Sequence, residues 1–213
     1  MMTFRRFTGK CRFRRTWYDP SLNPRRRKNM FFAEEVIVDS SMSFSEAVEG
    51  SAAPEEIILQ LSLVDVLYYS FDGRKHQGQM LVHREVEDDV YDLFNFIEKV
   101  LFPVGKAVPI VAYQWNDHRS MADNNSSSFN YRVIEGTATL SLHALGKAVD
   151  INPLQNPVVY PNGVIAPDGA RYDPAARGTF TAEHPVVQEF LRRGWHWGGR
   201  FDPLKDYHHF EKP

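Results

Sequence analysis

The pattern of apolar and polar residues predicts a β-hairpin early in the folded part of the chain. Residues 63–71 are rich in β-branched and aromatic side chains, which favour a strand. Asp72 and Gly73 are typical of a turn, and residues 79–83 can return along the first strand. A helix is predicted to follow, because apolar side chains recur at helical spacing over residues 90–101.

The sequence around this helix supports its predicted ends. Several acidic residues stand at its start, where the helix dipole favours negative charge, and Pro103 follows its end. Residues 108–113 are apolar and β-branched, so they are predicted to form a buried strand. The polar residues 116–130 are predicted to form a long irregular segment, which is uncommon unless it is functional or disordered.

The C-terminal half is predicted to contain two short strands and one helix. Residues 148–151 form a strand that ends at Asn152, and residues 152–178 form a long loop rich in Pro, Gly, Asn and Asp. Helical spacing of apolar residues predicts a helix over residues 186–191, and residues 207–211 are predicted to form the last strand. Because strands and helices mix without regular βαβ alternation, the predicted class is α+β.

Composition narrows the kinds of site that this chain can hold. The 213 residues include one cysteine, which excludes an internal disulfide framework and a Cys-rich structural zinc site. Any metal would therefore be bound by His and carboxylate side chains, as in catalytic zinc sites. The formal net charge of -2 gives no global bias toward nucleic acid or membranes. No apolar run of about 18 residues is present, so no transmembrane segment is predicted.

The N-terminal region differs from the rest of the chain in charge. Its first thirty residues contain ten Lys or Arg residues and one acidic residue, Asp19. No apolar segment follows this basic start, so no secretory signal peptide is predicted. We predict that residues 1–55 are a disordered basic tail and linker, with residues 39–56 as a linker or loosely held arm, and that residues 56–213 are the folded domain. Electrostatic attachment to an anionic lipid or polymer is the functional alternative for the tail.

Candidate chemistry is concentrated first in residues 141–150. His143 and Asp150 supply a neutral imidazole and a carboxylate, both of which bind zinc at about 2 Å. On a strand, the apolar neighbours of Asp150 face one side and leave its carboxylate on the other. An acidic side chain in an apolar strand is unfavourable unless a metal or another cation compensates it. The alternative is a His and an Asp that hydrogen-bond each other at a strand end.

The second concentration of candidate chemistry lies at the C-terminus. A third ligand from this region would complete a three-ligand site with one position for water, which also needs a general base within reach. Asp206 and Glu211 are the local carboxylates. In a straight strand Asp206 and His208 share one face, so pairing Asp206 with His209 requires a bend at Tyr207. Spacing alone does not choose between the two adjacent histidines.

These two segments resemble a known family. The pattern Ser-x-His-x-x-Gly-x-Ala-x-Asp over residues 141–150, followed by Asp-x-x-His-Phe-Glu over residues 206–211, is similar to the zinc D-alanyl-D-alanine carboxypeptidases. That family includes vancomycin-resistance D,D-carboxypeptidases and phage L-alanyl-D-glutamate endopeptidases. The resemblance runs from about Leu61 to the C-terminus. It implies a Hedgehog/D-Ala-D-Ala-peptidase-like fold, in which helices flank a small antiparallel sheet and long irregular loops surround a zinc site.

The resemblance also implies roles for individual residues. The zinc ligands carried over from the family motif are His143, Asp150 and His209. The acidic residue three positions before the last ligand, Asp206, is implied to be the general base. His208 then becomes a neighbour that is not a ligand.

One part of the family pattern is less clear in this chain. Many members keep an Arg well upstream of the first ligand, where it binds the substrate carboxylate or stabilises the oxyanion. The candidates here are Arg119 and Arg132, which lie closer to the first ligand than is usual. We favour Arg132 because residues 129–132 look like a branch of these enzymes, and a structural salt bridge is the alternative. Ser141 is expected either to bind substrate or to hold its loop.

The implied function is that of a zinc metallopeptidase acting on peptidoglycan stem peptides or muropeptides. D-alanyl-D-alanine carboxypeptidase is the favoured activity, and L-alanyl-D-glutamate endopeptidase is the alternative on the same core. A zinc-stabilised binding module without catalysis is the alternative from a different class. Nucleic acid is not expected as a partner. The resemblance further implies the cell envelope or periplasm, although no signal peptide is visible.

Overall fold

Short strands and a few helices form the fold described by the computed structural model, which covers residues 35–134 and 136–213. The α-helices are α1 (Phe44–Ala47), α2 (Glu55–Ile58), α3 (Glu87–Lys99), α4 (Asp117–Ala122) and α5 (Pro185–Arg192). The first strands are β1 (Ile37–Val38), β2 (Leu61–Tyr69), β3 (Lys75–His83), β4 (Lys106–Ala107) and β5 (Asn125–Ser126). The later strands are β6 (Ala148–Asp150), β7 (Val158–Val159), β8 (Ile165–Ala166), β9 (His196–Trp197), β10 (Lys205–Asp206) and β11 (His209–Glu211). Small sheets and few helices agree with the predicted mixture of α and β structure.

The predicted hairpin and the predicted helix after it are confirmed. Strands β2 and β3 pair antiparallel over their whole lengths, and β1 adds to β3 in parallel. The connecting turn contains Gly73 at a φ of 78°, a conformation that favours glycine. Helix α3 buries an apolar stripe of Val90, Leu93, Phe94 and Ile97. The helix ends at Lys99, earlier than the apolar pattern indicated.

A second sheet carries the C-terminal chemistry. Its strand order is β6–β11–β9, and β11 pairs antiparallel with both neighbours. The predicted strand that starts at Ala148 and the predicted helix over residues 186–191 are both confirmed, as β6 and α5. The last strand, predicted over residues 207–211, is shorter than predicted. Residues 207–208 form a turn that separates β10 from β11, so the strand begins at His209.

One apolar core joins this second sheet to the hairpin and to α3. Met80 from β3, Phe94 from α3, and Val149 and Phe210 from the second sheet all belong to it. The ring of Phe210 stacks on Phe190 of α5, with ring centres 3.9 Å apart. Burial of these large side chains therefore fixes β6 and β11 on the scaffold by their apolar faces.

The predicted strand over residues 108–113 is wrong. Residues Ile110–Tyr113 instead form a 3-10 turn, which Pro109 precedes and Gln114 ends with a left-handed φ of 57°. Proline lacks the backbone N–H that a central strand position would donate, so this apolar run does not continue into a sheet.

The polar stretch over residues 116–130 is more regular than predicted. Asn116 caps helix α4 by accepting a hydrogen bond from the Arg119 N–H. The buried side chain of Asn125 accepts from the Val108 N–H and donates to the Val108 carbonyl and to Ser120 Oγ. These side-chain hydrogen bonds satisfy polar groups that hydrophobic patterns do not report.

The prediction of a loosely held arm over residues 39–56 is also corrected. Ala47 is buried, and Ser43 caps α1 in a reciprocal capping box with Glu46. Residues 35–55 belong to the same compact unit as the rest of the described chain. The basic residues that precede this stretch lie outside the described residues.

The buried side chain of Gln79 connects the polar arm, residues 39–56, to the β2–β3 hairpin. Its side-chain oxygen accepts hydrogen bonds from Ser40 Oγ at 2.6 Å and from the Met42 N–H at 2.7 Å. Its side-chain nitrogen donates to the Met42 carbonyl and to Asp65. This buried amide on β3 therefore adds to the apolar packing of Ala47 and Met42 against the same hairpin.

Within the described part of the chain, no helix combines the length and the apolar character needed to cross a membrane.

Replacing Gln79 by Ala is expected to lower the free energy of unfolding by about 1–3 kcal/mol, because it leaves buried partners unsatisfied. Gln77→Ala is the matched control on the same strand, and we expect a change within about 0.5 kcal/mol. Chemical denaturation of both variants measures the difference. Equal stability of the two variants would show that the arm does not depend on Gln79.

Candidate metal centre

Three buried side chains converge at the junction of β6 and β11. The antiparallel register places His209 directly opposite Asp150, and the 3-10 turn Leu142–Leu145 brings His143 to the same point. These three residues form the group that could hold a metal ion in the described part of the chain. They are the residues that the family motif implied as ligands.

The distances among the three donor atoms fit a small tetrahedral cation. His143 Nε2 lies 3.1 Å from His209 Nδ1 and 3.2 Å from Asp150 Oδ2, and His209 Nδ1 lies 3.1 Å from Asp150 Oδ1. Ligand atoms about 2.0–2.1 Å from a tetrahedral zinc ion lie about 3.3 Å from one another. These distances involve both oxygens of Asp150, and with one ligand atom from each residue the three donors all lie within 4.8 Å of one another, which is compatible with zinc.

The orientation of His143 is fixed by a backbone carbonyl. His143 Nδ1 lies 2.6 Å from the carbonyl oxygen of Ser128 and donates its hydrogen to it. A neutral imidazole that donates from Nδ1 has its lone pair at Nε2, which is the nitrogen that faces the other two donors. Such hydrogen bonds behind a ligand are typical of metal-binding histidines.

Ser128 reaches this position because its segment pairs with β6. The backbone of Ser127 exchanges two hydrogen bonds with Asp150, at 3.0 and 2.8 Å. Ser128 Oγ donates to the Ala148 carbonyl at 2.6 Å. The polar stretch predicted as irregular therefore forms the far edge of the site.

A carboxylate orients His209 in the corresponding way. His209 Nε2 lies 3.1 Å from Glu211 Oε2, so it donates to Glu211 and directs Nδ1 toward the donor triangle. This hydrogen bond lowers the pKa of Glu211. Glu211 is therefore occupied in holding a ligand, which leaves Asp206 as the other local carboxylate that the sequence offered as a base.

The electrostatics of the triangle favour positive charge. Burial disfavours the ionised form of Asp150, but nearby His143 and His208 outweigh it and hold the pKa of Asp150 well below its usual range. Burial likewise disfavours a charged His209, yet hydrogen bonds with Asp150 and Glu211 raise the pKa of His209 to about 10. Groups that retain a proton this strongly also attract a cation, which must displace that proton.

Asp206 lies beside the three donors because the chain turns at Tyr207, which is the bend that pairing Asp206 with His209 requires. The turn at residues 207–208 lets Asp206 end β10 while His209 begins β11. The Trp197 indole N–H donates to the Tyr207 carbonyl at 2.9 Å and so holds this turn. Gly198 allows close approach, since a Cβ there would lie 2.4 Å from the Asp206 carbonyl oxygen.

One oxygen of Asp206 keeps its full capacity to accept a proton. Asp206 Oδ1 is buried and has no hydrogen-bond partner among the described residues. His208 Nε2 lies 3.0 Å away, but not in line for a hydrogen bond to this oxygen. A buried acceptor without a donor is unfavourable for stability alone, so it points to a chemical role.

Ser141 and Arg132, the two residues predicted to bind substrate, are connected to His143 by hydrogen bonds. The Ser141 N–H donates to the Arg132 carbonyl, and Ser141 Oγ accepts from the His143 N–H at 3.2 Å. Arg132 Nη2 forms an ion pair with Asp117 at 3.1 Å, while the buried Arg132 Nε has no hydrogen-bond partner among the described residues. Both alternatives raised from the sequence, a loop contact for Ser141 and a salt bridge for Arg132, are therefore present.

Sequence reasoning did not identify the groups behind the ligands. Ser128 contributes a backbone carbonyl, which no side-chain pattern reveals. Asn156 accepts a hydrogen bond from His208 through its carbonyl in the same way. Glu211, in contrast, stands in the C-terminal motif directly after Phe210, so the sequence could have indicated it as the partner of His209.

Comparison with known protein families agrees with this geometry. Residues 135–212 match the family model described as D-alanyl-D-alanine carboxypeptidase. The C-terminal part of this chain is therefore similar to the D-alanyl-D-alanine carboxypeptidase family. The matched segment contains the three converging donors and Asp206, whereas Arg132 lies just before it. A search of the curated proteins and a search of the solved structures found no match.

This match supports, in general terms, a hydrolase of the peptidoglycan-related metallopeptidase class. The buried His143, Asp150 and His209 are consistent with the metal dependence of that class.

Replacing Glu211 by Ala is expected to weaken metal binding about 10- to 100-fold, because His209 loses the acceptor that fixes its ring. Glu211→Gln keeps an acceptor oxygen and should lose less. Glu183→Ala removes an exposed carboxylate of the same type and serves as the control. Competition with a chromophoric chelator measures the affinities, and an unchanged affinity in Glu211→Ala would contradict the orienting role.

Proposed function

We propose that this protein is a zinc-dependent metallopeptidase that hydrolyses peptide bonds in peptidoglycan stem peptides, with D-alanyl-D-alanine carboxypeptidase as its favoured activity. The observation that carries the proposal is the buried group of three donors together with the nearby Asp206 carboxylate, whose buried Oδ1 accepts no hydrogen bond from a described residue. A Hedgehog/D-Ala-D-Ala-peptidase-like fold and a location in the cell envelope or periplasm belong to the same proposal. Both rest on the resemblance to the family.

His143, Asp150 and His209 would hold the zinc ion. Two neutral imidazoles and one carboxylate form a donor set typical of catalytic rather than structural zinc. Zinc at such a site supplies Lewis acidity, which polarises a carbonyl and makes water easier to deprotonate. The hydrogen bonds that His143 and His209 donate to Ser128 and Glu211 support the assignment, since they turn the other nitrogen of each ring inward.

Asp206 would act as the general base. Its unpartnered Oδ1 can accept the proton of the attacking water and then pass that proton to the leaving amine. The role requires a carboxylate that is close to the ligands without being one of them. Asp206 satisfies this requirement because the turn at residues 207–208 separates it from His209.

Arg132 would bind the carboxylate of the substrate. It lines a cleft of about 160 Å³ together with Gly50, Trp115 and Asn130. Asp117 holds one terminal nitrogen of the guanidinium, and the unpartnered Nε leaves donor capacity for an anion. A contact between Ser141 and substrate stays a prediction, because its Oγ already caps the turn before His143.

The activity is tested by measuring zinc content and by analysing products from purified stem peptides with mass spectrometry. About one zinc per chain with release of terminal D-alanine is the expected result. Cleavage between L-alanine and D-glutamate would establish the endopeptidase instead. Zinc without cleavage of either bond would favour the binding module, and absence of zinc would overturn the proposal.

In the same assay Asp206→Asn is expected to bind zinc normally while its kcat falls by about 10²- to 10⁴-fold, as for loss of a general base. Asp202→Asn changes an exposed carboxylate four positions away and is the matched control. Undiminished kcat in Asp206→Asn would exclude the assigned role.

Arg132→Ala is expected to lower kcat/KM about 10- to 100-fold, mainly through KM, because a charged hydrogen bond to substrate is lost. Arg119→Ala, which removes the other candidate, should leave kcat/KM nearly unchanged. Steady-state kinetics on the stem peptide separates the two. A purely structural Arg132 would lower the free energy of unfolding without this change in KM.

A further inference from the structure

His208 is a buried histidine that neither the family motif nor the ligand set uses. It lies in the turn between Asp206 and His209 and is only 3% exposed. Its backbone carbonyl accepts a hydrogen bond from the Ile151 N–H at 3.0 Å, directly after β6. The residue is therefore attached to both segments that build the metal centre.

A dense network of hydrogen bonds fixes the His208 ring from behind. His208 Nδ1 donates to the Asn156 carbonyl oxygen at 2.7 Å. The fully buried side chain of Asn156 donates to the carbonyls of Ile151, Asn152 and Gly178 and accepts from the Phe180 N–H at 2.7 Å. Because every polar group of this asparagine amide is engaged, the imidazole has a rigid support.

This support directs the other ring nitrogen between two carboxylates. His208 Nε2 lies 3.0 Å from Asp206 Oδ1 and 3.9 Å from Asp150 Oδ2. Because Nδ1 is engaged with Asn156, Nε2 is the ring nitrogen that faces the carboxylates. A separation of 3.0 Å is contact distance, so the fixed ring limits the rotation of the Asp206 carboxylate.

The contact holds Asp206 without consuming its acceptor capacity. Nε2 is not in line for a hydrogen bond with Asp206 Oδ1, and that oxygen therefore has no hydrogen-bond partner among the described residues. The contact keeps the carboxylate beside the ligands, while a lone pair of Oδ1 stays available for a proton. A base must combine these two properties.

We propose that His208 is a positioning residue, whose Nε2 holds the Asp206 carboxylate beside the metal ligands in the orientation needed for proton transfer. This inference rests on the proposed function, in which Asp206 is the base. In the motif Asp-x-x-His-Phe-Glu, His208 occupies the second x, a position at which the motif specifies no residue type.

Two substitutions of His208 separate positioning from simple packing. Glutamine can place its amide nitrogen near the position of Nε2, whereas the shorter asparagine places its nitrogen near Nδ1. We expect His208→Gln to keep kcat within about threefold of wild type. We expect His208→Asn to lower kcat about 10- to 100-fold with little change in KM, the usual effect of losing a supporting hydrogen-bonding group.

Zinc content and thermal unfolding are measured on both variants, with His184→Asn as the control. That histidine caps α5 through Nδ1, and asparagine is also a good cap, so wild-type kinetics are expected. Wild-type kcat in His208→Asn would overturn the proposal, as would equal losses in both His208 variants accompanied by loss of zinc.

Crystal structures of the zinc-loaded proteins test the positioning independently of catalysis. Asp206 should keep its orientation in wild type and His208→Gln and rotate away in His208→Asn. An unchanged Asp206 side chain in all three proteins would reject the inference. This result stands even if no stem peptide is cleaved, an outcome that would refute only the proposed activity.

Discussion

The antiparallel pairing of β6 with β11 is the interaction on which the candidate metal centre depends. Its register sets His209 opposite Asp150, so two donors that are far apart in sequence meet without any contribution from loops. The other edge of β6 pairs with Ser127, which brings the Ser128 carbonyl behind His143. A shift of one residue in either pairing would turn these side chains to the opposite face of the sheet.

Several polar groups around this sheet fix the orientation of the candidate ligands and of their neighbours. Ser128 and Glu211 orient the two imidazoles, and Asn156 supports His208 behind the carboxylate of Asp206. These contacts make the centre rigid, and rigid donors lose little freedom when a cation or a transition state arrives. Asp206 Oδ1 is an exception, since it lies in this network without a hydrogen-bonding partner in the described part of the chain.

The sequence predicted the parts of the fold that follow from periodicity and from turn residues. The β2–β3 hairpin, helices α3 and α5, and strand β6 all have such signals, and the ligand triad followed from the family motif. The arm around Ala47 was missed because long-range contacts hold it, among them the hydrogen bonds of Gln79 and of the Trp115 indole, and local patterns do not show them. The run at residues 108–113 was misread because Pro109 outweighs its β-branched composition. Contacts made by backbone carbonyls, such as that of Ser128, leave no trace in side-chain patterns.

Strand β11 has a consequence for how this sequence can vary. Successive side chains of this strand have different roles. His209 and Glu211 belong to the candidate metal centre, while Phe210 between them stacks on Phe190 in the core. A substitution that suits the core at the middle position still moves the imidazole and the carboxylate on either side. Selection for stability and selection for chemistry therefore act on the same three positions, and neither property can be tuned there without changing the other.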